Sequence, residues 1–538
     1  MRLPLTFLLL VGLSIGSPAQ AQPPPGREQA PADLNRLAGE FRTARRAFTE
    51  RGDFSAKAIE TQKAELRTFR SRLDALPRTT WPIADQVDWF LLLSEMNALD
   101  FEQRVKRSTS RDPGFYVSYA LSSVQDDPDD FTSDQAGAVA ARLKAVPALY
   151  DQARVNLTEA SRQHGELALR TIEQVRGVRV QQSAIGRFRW FAAQTASKYP
   201  ELSKAAEGAA EATLEYGRWI RQNLATMTAP GHVGLANFNW YLHNVLLMPF
   251  TAEELLVLAE RDLTRTVADL AYEENRNRNL PPIELPKTEA EYARRVKEVD
   301  ELVRRWFDQG NIITIDPAFG PLGATVPWKE GGRVGQVTPI HYWQEIQFRD
   351  PLPDHLHAGI PGHRYDGWVL RRHARAIRQG HSDRGRSEGW GFYLEELALQ
   401  SDLLKDRPRT RELFYNFQLF RYVRMHIDIK MAAGEMTPAQ AVAHQKSWVP
   451  MMEDQVAWSE GHGYFLNPSG GTVYTAGKYQ IEGLVARLRH QLGDAFNLHA
   501  FHDRFMEAGA VPIALIEWEL TGSDAELRKV VGRATTVR

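Results

Sequence analysis

Between Asp354 and Tyr393 the chain reads DHLHAGIPGHRYDGWVLRRHARAIRQGHSDRGRSEGWGFY, which sets five histidines in forty residues out of 15 in the whole sequence. Neutral imidazole is a common zinc ligand, and a catalytic zinc takes three protein ligands with its fourth position open. The chain contains no cysteine, so thiolate sites, thiol nucleophiles and disulfides are excluded and any metal must be held by nitrogen and oxygen. His363 follows His357 by six positions, which on an unbroken helix is about 600° and places the two rings on different faces. Pro361 and Gly362 change that. A proline cannot donate its backbone bond, and the glycine relaxes the chain beside it. Either a helix starts at Pro361 with His357 on the entering loop, or a bulge swings the two rings together.

The elements around this stretch read as helical. From Ala32 to Glu50, Leu34, Leu37, Phe41, Ala44 and Phe48 recur at three- and four-residue steps, as one buried face would. Similar patterns run over Ser55 to Leu76, Ala84 to Val105, Ser133 to Leu157 and Glu201 to Met227, punctuated by Pro82, Pro113, Pro128 and Ala229-Pro230-Gly231. The segment from Gly310 to Asp350 differs. Ile312, Ile313 and Ile315 precede a glycine-rich loop over Lys329 to Gly335, and Tyr342 to Phe348 is aromatic and β-branched, which predicts a small β-sheet beside the histidine-rich stretch. The fold class expected is therefore mainly α with one small sheet.

Arg2, an apolar run from Leu3 to Ile15 and the Ala19-Gln20-Ala21 pattern read as a cleavable signal peptide over 1–21. A Pro-rich tether follows over 22–31, then an N-terminal helical region over 32–230 and a metal-site region over 231–538, read as one continuous fold. A lipoprotein leader needs a cysteine, so the expectation is a soluble periplasmic or secreted protein without membrane attachment once the leader is removed. With 66 Lys+Arg against 67 Asp+Glu and no long run of one sign, nucleic acid is not an expected partner. No phosphate loop, dinucleotide fingerprint or nucleophile elbow is found.

The run from His357 to His363, with Glu388-Gly389-Trp390 downstream, resembles the bacterial family of unknown function 885. That family's usual motif is H-E-x-x-P-G-H followed by E-G-W on a later helix. The resemblance extends through Arg421, Arg424, Asp428, Pro468, Tyr474, Gly477 and Phe501-His502-Asp503 to Gly509 and Pro512. The family is similar to gluzincin-type peptidases, so the resemblance implies a helical metallopeptidase-like fold. It implies a Zn2+ site in which His357 and His363 supply imidazoles and Glu388 the carboxylate, with Gly389 and Gly391 letting the two helices approach. It also implies a peptide or other amide as substrate. Tyr474 would steady a developing oxyanion, while Lys478, one turn on, and Arg424 would bind substrate.

Plainer alternatives stand beside these. Glu388 could pair with Arg384 or Arg386, Tyr474 could pack in a core, and Lys478 could be solvated. Arg424 and Asp428, four apart, could simply pair, and the family's histidine after that aspartate is Ala432 here. His502-Asp503 reads as a buried pair that fixes one tautomer, and His355, His373 and His381 read as solvated or hydrogen-bonded rather than ligating.

One departure from the motif bears on activity. Ala358 stands where the family carries the glutamate that takes a proton from the attacking water, and losing such a base typically costs a factor of about 10² to 10⁴. Asp354, His355 or Asp366 could substitute, or two histidines and one carboxylate could serve iron-dependent oxygen chemistry instead. Two readings follow: an exported zinc-dependent hydrolase, or a pseudopeptidase that captures a peptide or a partner without cutting it.

Overall fold

Capping residues mark many of the helix boundaries. Ser55 caps Ala56–Asp74, Thr132 caps Ser133–Lys144, Thr251 caps Ala252–Asn277 and Thr437 caps Pro438–Trp448, each by accepting a backbone N–H from the first turn. The last three are capping boxes closed by Gln135, Glu254 and Gln440. The computed structural model describes residues 31–126, 128–174, 183–328 and 341–534. The signal peptide, the tether up to residue 30 and the glycine-rich loop over Lys329 to Gly335 lie outside them.

The periodic stretches fold as helices close to their expected bounds: Ala32–Arg51, Ala56–Asp74, Ile83–Phe101 and Pro200–Asn223. Ser133 to Leu157 is two helices rather than one, broken at Ala145, with Pro147 in the first turn of Val146–Asn156. No described helix is long and apolar enough to cross a membrane.

The expected sheet is not found among the described residues, which hold one isolated bridge, Ser161 to Thr228. Tyr342 to Phe348 lies instead in the helix Tyr342–Arg349, with Tyr342 and Ile346 one turn apart on a buried face and His341 as its cap. Aromatic content signalled a strand, but burial at a four-residue step decided the outcome. Ile312 and Ile313 are buried without a strand partner, and the next backbone groups are met by side chains: Thr314 N–H donates to Asp503 and the Thr314 carbonyl accepts from Tyr365.

Both ends of the chain share one core. Leu34, Phe41, Leu91 and Met96 from the first helices pack in one cluster with Trp390, Leu394, Ile481, Phe505 and Leu515. A second cluster gathers the helices between Pro113 and Asn223, including Tyr116, Leu143, Tyr150, Phe188 and Tyr216. The helix Pro408–Ala433 is buried along most of its length. It packs against Ala252–Asn277, Asp454–Leu466 and Thr472–Leu492.

Two helices frame the site. Arg384–Leu399 sends Trp390, Leu394 and Ala398 into the first core, which leaves Glu388, Gly391 and Glu395 on another face. Thr472–Leu492 runs against it at main-chain contact. A Cβ on Gly389 would fall 2.6 Å from the Gly477 Cα, and one on Gly477 would fall 2.0 Å from the Gly385 carbonyl oxygen, so only glycine permits this approach.

Candidate metal centre

His355–Gly359 is a single π-turn, closed by the Ile360 N–H donating to the His355 carbonyl at 2.8 Å. The Ile360–Pro361 peptide is cis, the Pro361 carbonyl accepts from the Trp390 indole at 2.9 Å, and helix resumes at His363–Leu370. The π-turn and the bend after it bring together rings that a regular helix would hold apart. His357 and His363 lie 4.8 Å between centroids at 88°.

Both point Nε2 at the same oxygen. Glu388 Oε2 is 3.3 Å from His357 Nε2 and 3.1 Å from His363 Nε2, and the three ligand atoms all lie within 4.8 Å of one another. A tetrahedral zinc with bonds of about 2.0 to 2.2 Å would set its ligand atoms about 3.3 to 3.6 Å apart, so small side-chain adjustments suffice to admit an ion. The nitrogen and oxygen donor set also fits that metal. Burial pushes the Glu388 carboxyl up, but the two imidazoles outweigh it and hold its pKa well below the usual range. The carboxylate is ionised, as a ligand must be. Access is from the His363 side, whose side chain is 32% exposed against 5% for His357.

The other ring nitrogens each face an oxygen. Ser387 Oγ lies 3.1 Å from His363 Nδ1. Glu395 Oε1 lies 2.7 Å from His357 Nδ1, at an angle poor for a hydrogen bond, and accepts from Arg421 at 2.9 Å. Burial raises the Glu395 pKa, but Arg421 and His357 bring it down on balance. Burial and Arg421 press the His357 pKa down, and Glu388 and Glu395 more than reverse that. An ionised acid on Nδ1 favours a proton there and leaves Nε2 free to ligate. Sequence reasoning missed Glu395, although its place seven residues beyond Glu388 repeats the same helical face. Gly391 sits between them because a Cβ there would fall 2.5 Å from the His357 ring.

Tyr474 is close to the centre: its ring stacks on His357 at 6.1 Å, with the Arg424 guanidinium 4.5 Å above it. Burial first, and the charge of Glu388 second, raise the phenol pKa, so it keeps its proton at neutral pH and can donate. Arg424 does not pair with Asp428. It donates to Glu460 at 2.8 and 3.0 Å, whereas the Asp428 carboxylate accepts from the N–H groups of Ser469, Gly471 and Thr472 at the start of the Tyr474 helix. Four-residue spacing allowed the pair, but a helix N-terminus claimed the acid. Lys478 is buried between Glu396, Glu482 and Tyr422, at 3.4, 3.3 and 3.2 Å, and is not solvated.

The other histidines weighed in the sequence have non-metal partners. His355 contacts Asp300 at 2.9 Å, His373 the Glu507 carbonyl at 3.0 Å and His381 Glu95 at 3.1 Å. His502 is fully buried, but Asp503 is not its partner. Its Nδ1 lies 2.7 Å from the Ile312 carbonyl and its Nε2 2.9 Å from the Tyr393 hydroxyl, while Asp503 binds Thr314. A carbonyl is an acceptor only, so it fixes the proton on Nδ1. Arg386 pairs with Asp366 at 2.5 Å, and Arg384 donates to the Gly470 carbonyl at 3.5 Å, so neither takes Glu388. Asp354 accepts from the Thr325 hydroxyl. All three residues expected as substitutes for a base beside Ala358 thus have other partners.

A helical protein presenting two imidazoles and one acid at a partly exposed site defines the class. Within it, the chain belongs to the family described as "Bacterial protein of unknown function (DUF885)", whose profile matches residues 40–520. No curated protein matches. Two solved structures share the fold. One is a candidate lipoprotein of unknown function from Shewanella oneidensis, 17% identical, TM-score 0.71, covering 91% of this chain and 100% of its own. The other is a candidate lipoprotein from Colwellia psychrerythraea, 14% identical, TM-score 0.69, covering 94% of this chain and 100% of its own.

Proposed function

We propose that this protein is an exported zinc-dependent hydrolase acting on small peptide-like amides. One observation carries the reading: two imidazole nitrogens and a carboxylate oxygen within 4.8 Å of one another, from residues the family motif pairs. Export rests on the leader-like N terminus and on the lipoprotein description of the two fold relatives.

A bound zinc supplies Lewis-acid polarisation of a carbonyl and a lowered water pKa. The chain supplies the rest. His357, His363 and Glu388 hold the ion, Glu395 and Arg421 keep the His357 ring aligned, and the Tyr474 phenol donates toward charge developing on a substrate oxygen. Purified protein should carry one zinc per chain and lose it in His363→Ala. Protein that stays metal-free after dialysis against zinc removes the reading.

A second reading has its own support. Ala358 brings no base, and Asp354, His355 and Asp366 are engaged elsewhere. On that reading the protein captures a peptide without cutting it. Turnover of a mixed peptide library by wild type and by Ala358→Glu separates the two: cleavage by wild type rejects capture, and cleavage by the variant alone supports it.

A further inference from the structure

Arg384, Glu388, Gly391 and Glu395 stand at steps of four, three and four residues on the Arg384–Leu399 helix, which is one stripe of its surface. Arg384 therefore starts from the same face as the metal-site acid, one turn nearer the helix N-terminus. Its natural partner would be Glu388 at i+4, but Glu388 is turned to the two imidazoles. The guanidinium instead reaches the Gly470 carbonyl at 3.5 Å, just ahead of the helix that carries Tyr474. Among the described residues no carboxylate lies within ion-pairing distance of it, and it is solvent-exposed.

The arginines around it are different. Arg421 is held by Glu395, Arg424 by Glu460, Arg386 by Asp366 and Arg378 by Asp88. Arg384 is the unmatched cation of this group. The negative charge of Glu388 acts on the guanidinium, which lies on the metal-site side of the helix. Lys478, which the resemblance offered as a substrate binder, is occupied by Glu396 and Glu482. With the Glu395 and Glu460 charges offset, a divalent ion beside Glu388 and an Arg384 without a carboxylate partner leave this side of the site positive, which favours an anionic ligand.

We propose that Arg384 receives a free carboxylate on the substrate, so that the molecule taken up is an amide bearing a carboxylate within a few bonds of the carbonyl that faces the metal site. This rests on the metal reading above. A planar guanidinium binds a carboxylate through two parallel N–H donors, so it would set which end of the substrate enters as well as strengthen binding.

The probes are monohydroxamates of malonic, succinic and glutaric acid, each with an uncharged hydroxamate of equal chain length, titrated by calorimetry into zinc-loaded protein. For at least one length, wild type should bind the acid form about 10-fold or more tightly than its neutral partner, the scale of hydrogen bonds to a charged group. R384M should lose that preference and R384K keep part of it, with both variants retaining zinc. Equal affinity for acid and neutral forms at every length in wild type, or a preference that survives in R384M, overturns the proposal while leaving the metal centre standing. If neither kind of hydroxamate shows zinc-dependent binding, the metal reading falls and this inference with it.

Discussion

The helices between Pro113 and Asn223 and those around His357 bury polar groups in opposite ways. In the first region the buried polar side chains are largely hydroxyls that return to their own helix. Thr171 donates to the Leu167 carbonyl, Thr195 to Phe191 and Thr213 to Ala209, at 3.1, 2.9 and 2.7 Å, with His164 inside the region and Arg111 and Asp112 just before it as exceptions. In the second, full charges are enclosed: Asp88, Arg386 and Glu395 at 0% exposure, Arg421 at 1% and Arg378 at 2%. Enclosing an ion costs several kcal/mol before its partner repays it, and an apolar substitute often does as well, so such pairs are weak evidence for stability. What they do supply is fixed orientation. The first region reads as scaffold, and the second as a frame that holds charged groups at set positions.

The contrast is sharpest at Asp88, which accepts from both Arg375 and Arg378 at 2.7 Å. Asp88→Ala would leave Arg375 to Asp85 alone and Arg378 to Glu519, and should cost about 3 kcal/mol in denaturant unfolding, the low end for breaking a buried pair. A cost near 1 kcal/mol would erase the distinction between the regions.

A second break is by acid. The His502 pKa is lowered from 6.5 to about 4, first by burial, so the folded protein excludes a proton that the unfolded chain accepts. The resulting stability is fully present above about pH 6.5 and is lost as pH falls toward 4. Thermal midpoints across that window should fall less steeply in His502→Gln than in wild type. Parallel slopes would show that this ring does not titrate as its burial requires.

Glu395→Gln tests orientation directly. Zinc affinity should drop by about 10- to 100-fold with the fold retained, as competition against a chelator would show. An unchanged affinity would mean that Glu395 does not steer His357. The smallest effect belongs to the scaffold: Thr213→Val should cost about 1 kcal/mol, since one neutral buried hydrogen-bond set is lost. A cost matching that of Asp88→Ala would again remove the contrast.

Much of the scaffold was legible because amphipathic periodicity is local: the helix of Leu34, Leu37 and Phe41 could be read from spacing alone. The triad was legible through the family motif, and the proline-glycine kink explained how its spacing could converge. What failed was decided by tertiary context. Tyr342 to Phe348 has a strand's composition, but a helical face was buried. Asp428 had Arg424 at helical distance, yet the Tyr474 helix took it, and His502 turned to Tyr393 and Ile312 rather than to its neighbour. Ionic partners such as Glu460 for Arg424, thirty-six residues apart, leave no periodic trace.

The glycine contact between Arg384–Leu399 and Thr472–Leu492 has one more consequence. Because peptide planes touch there, the span from acid to phenol is set by covalent geometry and cannot be absorbed by rotamer changes. A methyl group introduced at Gly477 would wedge the two helices apart, and the error would reach the reacting groups undamped although nothing in their first ring of neighbours had been altered.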